Sequence, residues 1–299
     1  MPEFDLSVTI CSWNTRDDLR VCLQSLRDVA HEARIEVIVV DNNSEDSSAQ
    51  MVKAEFPEVK LIALSVNLGF GKGHNKAFEV AAGAVLFPLN SDAIVHAGCF
   101  TRILNFLRTD RNIGIVGPKL LNPDGSLQYS ARRFPTPMAA LFRNTPLGKL
   151  FPKNKYTRDY LMTDWAHDEP RDVDWVSGAG FAFTRELFDQ IGGFDERFFM
   201  FLEDVDLCYR AHETGKRVVY LPEAVVTHKI GSSTDKAPNR MINQFHHSML
   251  LFYKKHYLSK VSPPLRPLAI GGSYILLLAR QSLFIIKNKI DDWKRRRRS

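Results

Sequence analysis

The chain has 299 residues, of which 44% are hydrophobic and 25% charged. That mix, with this length, describes a folded globular protein with a sizeable core and excludes disordered, collagen-like and polytopic membrane classes. Its 40 basic and 34 acidic side chains leave a formal net charge of +6. Five cations crowd residues 294–298 and leave the remainder at about +1, so no basic face is laid out for nucleic acid, which is not an expected partner.

Residues 6–11, 35–40, 60–64 and 84–89 are short β-branched or aliphatic runs that predict buried strands. Between them, 16–30, 46–56 and 71–82 carry helical spacing, with Leu19, Leu23 and Leu26 on one face. Such alternation predicts a mostly parallel, Rossmann-like α/β sheet flanked by helices, whose ligands bind beyond the carboxyl ends of the strands. Each of those ends is polar: Ser12-Trp13-Asn14, Asp41-Asn42-Asn43-Ser44, Asn67-Leu68-Gly69 and Asn90-Ser91-Asp92. Helix capping accounts for any one of them. Four in succession on one edge point to a shared ligand.

Cys11, Cys22, Cys99 and Cys208 form no CxxC pair. Cys11, Cys99 and Cys208 lie in apolar runs and read as small core hydrophobes. Residues 1–5 have no basic leader character, which makes a reducing cytosol the expected compartment. Gly69, Gly71 and Gly73 match neither GxGxxG nor a Gly-Lys-Ser/Thr loop; a backbone approach to phosphate and a plain tight turn both explain them.

Residues 122–172 are basic and proline-bearing, and predict a long excursion over the active face. Strand character returns over 174–184, a helix is expected from Glu203 to Gly215, and short strands at 217–220 and 224–227. After Gly231 the pattern is helical to the end, broken at Pro263-Pro264.

The chemistry concentrates in three places. Asp92, closing an apolar strand, offers one carboxylate to Mg²⁺ or Mn²⁺, ions that take one or two protein carboxylates plus substrate phosphates. Glu203, Asp204 and Asp206 open a helix beside Phe198, Phe199 and Phe201. Acidic residues are ordinary in a first turn, but desolvation by the aromatics raises proton affinity toward that of a working base. Asp204 and Asp206 diverge on a helix; Asp204 is the expected base, and Asp206 or Glu203 braces the loop. His228 ends a strand, where a satisfied structural histidine and a metal or diphosphate ligand are the two readings.

In order along the chain, Thr9 to Asn14, Val39-Val40-Asp41-Asn42-Asn43-Ser44, Asn67-Leu68-Gly69-Phe70 with Asn75, Asn90-Ser91-Asp92, and Gly193-Phe194-Asp195-Glu196 leading to Glu203-Asp204-Val205-Asp206 resemble the family-2 inverting glycosyltransferases of the GT-A fold. The branch resembled is the one containing bacterial rhamnosyltransferases, and the likeness covers roughly residues 5–255. It implies that Asp41 contacts the nucleotide base, Asn90 the ribose side and Asp92 the metal, with Ser12, Asn14 and Asn67 lining the nucleotide pocket. It further implies Asp204 as catalytic base, His228 as metal or diphosphate partner, and Trp175, Gly178 and Glu203 in the sugar and acceptor cleft. The family's usual DxD stands here as NxD, which keeps the second acid and drops a charge at Asn90.

The resemblance implies a sugar, L-rhamnose from dTDP-rhamnose first, moved to a lipid-linked or cell-envelope glycan with Mg²⁺ or Mn²⁺. A nucleotidyltransferase would need a glycine-rich basic phosphate loop, which residues 7–17 lack. A degenerate sugar-binding scaffold would have lost Asp41, Asp92, Asp204 or His228. The expected division is a catalytic domain at 1–232, with a nucleotide-sugar half to about 120 and an acceptor half over 121–232, and a helical extension at 233–299. Residues 268–286 form a helix of about 28 Å, enough to cross a bilayer core. Arg266, Ser273, Arg280, Lys287 and Lys294, spaced by seven, instead predict an interfacial helix, with the basic tail on anionic lipid at the inner face of the cytoplasmic membrane. Packing on the domain or in a homo-oligomer is the alternative.

Overall fold

The computed structural model describes residues 2–143, 145–229 and 238–296. Strands β1 (Phe4–Ser12), β2 (Ile35–Asp41), β3 (Lys60–Ala63) and β4 (Gly83–Asn90) alternate with helices α1 (Arg16–Asp28), α2 (Ser48–Glu55) and α3 (Phe70–Phe78), as the sequence pattern predicts. These four strands are parallel in the order β3-β2-β1-β4. Ser12 lies opposite Asp41, and Cys11 opposite Asn90, so the register alone brings the polar strand ends into one row.

Beyond β4 the sheet becomes mixed. Strand β5 (Ala93–Val95) and helix α4 (Cys99–Leu107) lead into β6 (Ile113–Leu121). Segment 122–172 is not a bare loop: it holds the short strands β7 (Leu127–Gln128), β8 (Ala131–Arg132) and β9 (Arg171–Asp172), and the helices α5 (Pro137–Phe142), α6 (Pro146–Leu150) and α7 (Lys155–Leu161). Thr136, Thr145 and Asn154 cap those helices through side-chain oxygens, and Thr-Pro at the first two starts was the overlooked signal.

The expected strand at 174–184 divides into β10 (Trp175–Val176), paired with β8, and β11 (Ala182–Thr184), wedged antiparallel between β4 and β6. Helices α8 (Arg185–Ile191) and α9 (Glu203–Glu213) follow. The two short strands predicted near the end are one strand, β12 (Arg217–His228), whose register slips between Leu221 and Val225. Pro222 lies in that slip, where a residue without an N–H breaks the pattern without ending the strand.

The sheet separates two cores. One packs Leu19, Cys22, Leu23 and Leu26 of α1 with Phe87 and Phe100. The other is aromatic, gathering Phe78, Phe181, Phe183, Phe194 and Phe198. Helix α10 (Pro238–His256) enters this second core through Phe252. The helix expected from Gly231 begins in the described residues at Pro238; residues 230–237, Arg297 and Arg298 lie outside them.

Helix α11 (Arg266–Arg296) packs against α10 and corrects one expectation. Two members of its seven-residue polar stripe do not face outward to a headgroup layer: Arg280 is 7% exposed, and Ser273 bonds back to the Ala269 carbonyl at 2.7 Å, while the side chains of Lys287 and Lys294 lie outside the described residues. The outward face is apolar instead, with Leu268 73% and Ile275 71% exposed beside Leu278, Leu283 and Ile286.

Candidate active site

β4 ends at Asn90, and the turn after it carries Asp92 into β5. Because β5 pairs antiparallel with β12, His228 lies opposite Ala93, next to Asp92. Asp92 Oδ1 is 3.3 Å from His228 Nε2, to which Asn90 Nδ2 donates at 3.0 Å. His228 Nδ1 donates to Gln128 Oε1 at 2.8 Å, and Gln128 Nε2 donates to Asn122 Oδ1 and the His228 carbonyl. This network holds the imidazole in the tautomer whose unprotonated Nε2 accepts from Asn90 Nδ2 beside the carboxylate. A carboxylate oxygen and that Nε2, on exchanging the Asn90 bond, fit a divalent cation. Among the described residues no cluster of three His, Cys, Asp or Glu forms, so the fit is to an ion completing its shell from a ligand's oxygens.

Opposite stands the start of α9. Phe201 and Leu202 both adopt left-handed backbone, at φ +68° and +63°, a costly turn for bulky side chains of a kind that gathers at functional sites. It delivers Asp204, whose Oδ2 accepts the Gly178 N–H at 2.7 Å and whose Oδ1 accepts the Val205 N–H at 2.8 Å. Burial raises the Asp204 carboxyl above the usual range, with both amides pulling it back.

Glu203 is buried, and among the described residues its Oε2 has no partner. Burial, then the Asp204 charge, push its proton affinity well up, which favours the neutral acid in the fold. A raised folded value contributes stability that is complete below the unfolded glutamate pKa of about 4.3 and is lost as pH rises. Glu203→Gln is therefore expected to raise the melting temperature more at pH 8 than at pH 5, a comparison that thermal denaturation at the two pH values checks.

Asn90, Asp92, Trp175, Gly178, Glu203, Asp204 and His228 share one cavity of about 470 Å³. The remaining expected site residues, Ser12, Asn14, Asp41 and Asn67, do not line it. Ser12 Oγ, Thr15 Oγ1 and Ser91 Oγ form a hydrogen-bonded chain just behind Asp92. Asn14 lines a separate depression of about 460 Å³ with Glu45 and Asp46. Asn67 Oδ1 accepts the Gly69 N–H at 2.9 Å, a turn-forming contact. Asp41 Oδ2 accepts the Ser44 N–H at 3.1 Å, while among the described residues its buried Oδ1 has no partner, an arrangement that costs stability until a donor arrives.

The glycines after Asn67 prove to be packing positions. A Cβ on Gly69 (φ +84°) would stand 2.2 Å from the Phe199 carbonyl oxygen, and one on Gly73 2.4 Å from Cys11 Sγ. Phe70 N donates to that same Phe199 oxygen at 2.8 Å, which seats α3 against the turn before α9. Asn42 clamps the same strand end, through Nδ2 to the Gly69 carbonyl and Oδ1 from the Leu68 N–H, both 2.9 Å.

Cys11 is not only a core hydrophobe: it is half-buried and lines the cavity. Other lining residues had no sequence signal of their own. Gln128, Arg132, Arg143 and Tyr160 come from the 122–172 excursion, and Arg280 from α11. A cation in the middle of an apolar helix was the readable hint for Arg280.

The chain matches the family model described as "Glycosyltransferase like family 2" over residues 2–245. It is 32% identical over 292 residues, 93% of this chain and 94% of the relative, to N-acetylglucosaminyl-diphospho-decaprenol L-rhamnosyltransferase of Mycobacterium tuberculosis. Rhamnosyltransferase WbbL of Escherichia coli K12 is 26% identical, covering 72% of this chain and 80% of its own. Among solved structures, the mannosyltransferase PcManGT of Pyrobaculum calidifontis, in complex with GDP-Man and Mn²⁺, superposes with a TM-score of 0.55 at 15% identity, over 97% of this chain and 82% of that one. GalNAc-T7 with UDP, GalNAc and Mn²⁺ gives 0.54 at 20%, over 76% of this chain and 44% of that one.

Proposed function

The chain belongs to glycosyltransferase family 2, and we propose that it moves a sugar from a nucleotide-sugar to a hydroxyl of a lipid-linked or envelope glycan by single inverting displacement. One observation carries this reading: Asp204, Asp92 and His228 open into one cavity at the carboxyl edge of the sheet.

Asp204 is the base. The Gly178 and Val205 amides orient it, and burial lifts its proton affinity, so it takes the acceptor hydroxyl's proton as that oxygen attacks the anomeric carbon opposite the nucleotide. Asp92 Oδ1 and His228 Nε2 would hold Mg²⁺ or Mn²⁺, with Gln128 fixing the imidazole through Nδ1. When bound, the ion supplies Lewis-acid neutralisation of the leaving diphosphate. Asp41 Oδ1 accepts an N–H of the nucleotide base, the donor that its buried, unpartnered oxygen lacks. The names of the M. tuberculosis and E. coli relatives support L-rhamnose from dTDP-rhamnose as donor, and the Mn²⁺ of two solved relatives supports a divalent ion.

The test is transfer from a panel of dTDP-, UDP- and GDP-sugars to a lipid-linked N-acetylglucosamine acceptor, with Mn²⁺, Mg²⁺ or EDTA. dTDP-rhamnose with a divalent ion is expected to turn over fastest and to stop in EDTA. Binding without turnover of any donor would leave a sugar-binding scaffold in place of the enzyme.

The apolar outward face of α11 supports a seat on the cytoplasmic membrane surface. The window Pro263–Ile286 has mean hydropathy 1.5 and is long enough to span. A spanning helix, however, would withdraw Arg280 from the cavity and Gln281 from its 2.7 Å bond with Asn243. Lying in the interface keeps both and buries the leucine and isoleucine face. Ile275→Glu with Leu278→Glu is expected to move most of the protein from the membrane to the soluble fraction; an unchanged fractionation would remove α11 as the anchor.

A further inference from the structure

Three arginines line the cavity beside the base. Arg132 is near enough to lower the proton affinity of Asp204, and its guanidinium stacks on Trp175 at 4.9 Å. Next comes Arg143, over the Tyr160 ring at 5.1 Å and donating to the Tyr160 hydroxyl at 3.2 Å. Arg280 follows, held by the Met249 sulfur at 3.2 Å, the Arg143 carbonyl at 3.4 Å and the faces of Phe245 and Phe284.

Among the described residues none of the three pairs with a carboxylate. Arg280 is the extreme case: 7% exposed, its Nε without any partner, its proton affinity pulled down to about 10 by burial and then by the Arg143 charge. Buried cations without a counter-ion are costly, and a cavity that collects them is arranged for an anion brought by a ligand. The guanidinium fork matches phosphate oxygens two at a time.

Two neighbours narrow the anion further. Arg132 adjoins Asp204, the acceptor's base, with Arg143 next to it and Arg280 next to Arg143, whereas the donor's diphosphate belongs at Asp92 and His228. Phe245 and Met249 of α10 and Arg280 of α11 line the cavity, and the outer face of α11 is the exposed apolar one. An anionic group here sits between a sugar hydroxyl at Asp204 and a hydrocarbon phase.

We infer that Arg143 and Arg280, continued by Arg132, bind the diphosphate of a polyprenyl-diphosphate-linked acceptor, with its lipid leaving along α11. This rests on the glycosyltransferase reading above and names the acceptor's chemistry.

The test is calorimetric titration of the full chain in detergent micelles with geranylgeranyl diphosphate, geranylgeraniol, inorganic diphosphate and, separately, dTDP with Mn²⁺. Each lost charge-assisted bond is expected to cost about tenfold or more. Wild type is therefore expected to bind the lipid diphosphate at least about tenfold more tightly than the alcohol or inorganic diphosphate. Arg143→Gln and Arg280→Met erase that preference while dTDP affinity holds within about twofold, and Arg280→Lys keeps part of it. Arg280→Met is expected to melt no lower than wild type, because it removes an unpaired buried charge.

Equal binding of all lipids by wild type and variants overturns the inference. So does a lower melting temperature of Arg280→Met with all ligands weakened together. Inorganic diphosphate bound as tightly as the lipid form would make this a free-diphosphate site. Parallel loss of dTDP, with dTDP displacing the lipid diphosphate, would make it the donor's. Lipid-diphosphate binding is read without any donor, so a failed sugar panel beside intact binding sinks the transferase reading alone.

Discussion

Asp204→Asn is expected to lower transfer about 10²- to 10⁴-fold, the usual contribution of a positioned general base, while the protein folds and binds donor nucleotide as before. Asparagine keeps the shape, and its carbonyl oxygen can still accept the Gly178 N–H that Asp204 Oδ2 accepts at 2.7 Å. Beyond the ability to take a proton, only the bond from the Val205 N–H to Oδ1 is lost, since the amide nitrogen cannot accept it. The wild-type rate should also show an acid limb displaced above the aspartate range of about 3.9, because burial raises this carboxyl and the base works only when ionised. The rate therefore falls as pH drops through the raised value. Single-turnover transfer against pH, with thermal shift and dTDP binding as controls, checks both parts. Transfer retained in the variant would take the base role away from Asp204.

Asp206→Asn is expected to cost about 3–5 kcal/mol of stability, because breaking a buried ion pair leaves cations uncompensated. Asp206 is fully buried at 0% exposure and receives Arg210 Nε at 2.8 Å, Lys255 Nζ at 2.6 Å and His256 Nε2 at 2.7 Å. It bolts α10 to α9, the helix that carries the base. Burial drives its proton affinity up, but the bond from His256 and the charges of Arg210 and Lys255 outweigh it, so the folded carboxyl lies below its ordinary value. A depressed acid contributes stability that is present above the unfolded aspartate pKa of about 3.9 and lost as pH falls through the folded value. The gap between wild type and Asp206→Asn in urea melts should thus be full at pH 7 and close below about pH 4. A variant as stable as wild type at pH 7 would show the hub to be dispensable.

Within the 203–206 turn, the divergence of Asp204 and Asp206 on a helix was legible before any coordinates, and the structure sends one into the cavity and the other to α10. The NxD strand end was equally readable as a place for a carboxylate. His228 was expected there as one of two readings and by resemblance, and the contact itself depends on β5 folding back antiparallel on β12. Gln128, which sets the imidazole tautomer, sits on a two-residue strand that no periodicity reveals.

The amino-acid sequence alone determined the strand–helix alternation, the row of polar strand ends and the family-like order of motifs. Those depend on local hydrophobic period and on residue types at element ends, which act within a few residues. Tertiary structure decided which of those groups meet. It turned Arg280 of the α11 polar stripe inward and put it in the cavity, because a helix's outward side depends on the surface available to cover it. Among the described residues it also left Asp41 Oδ1 buried without a donor and three arginines without a paired acid. Such unmatched groups are properties of packing, invisible in any window of sequence.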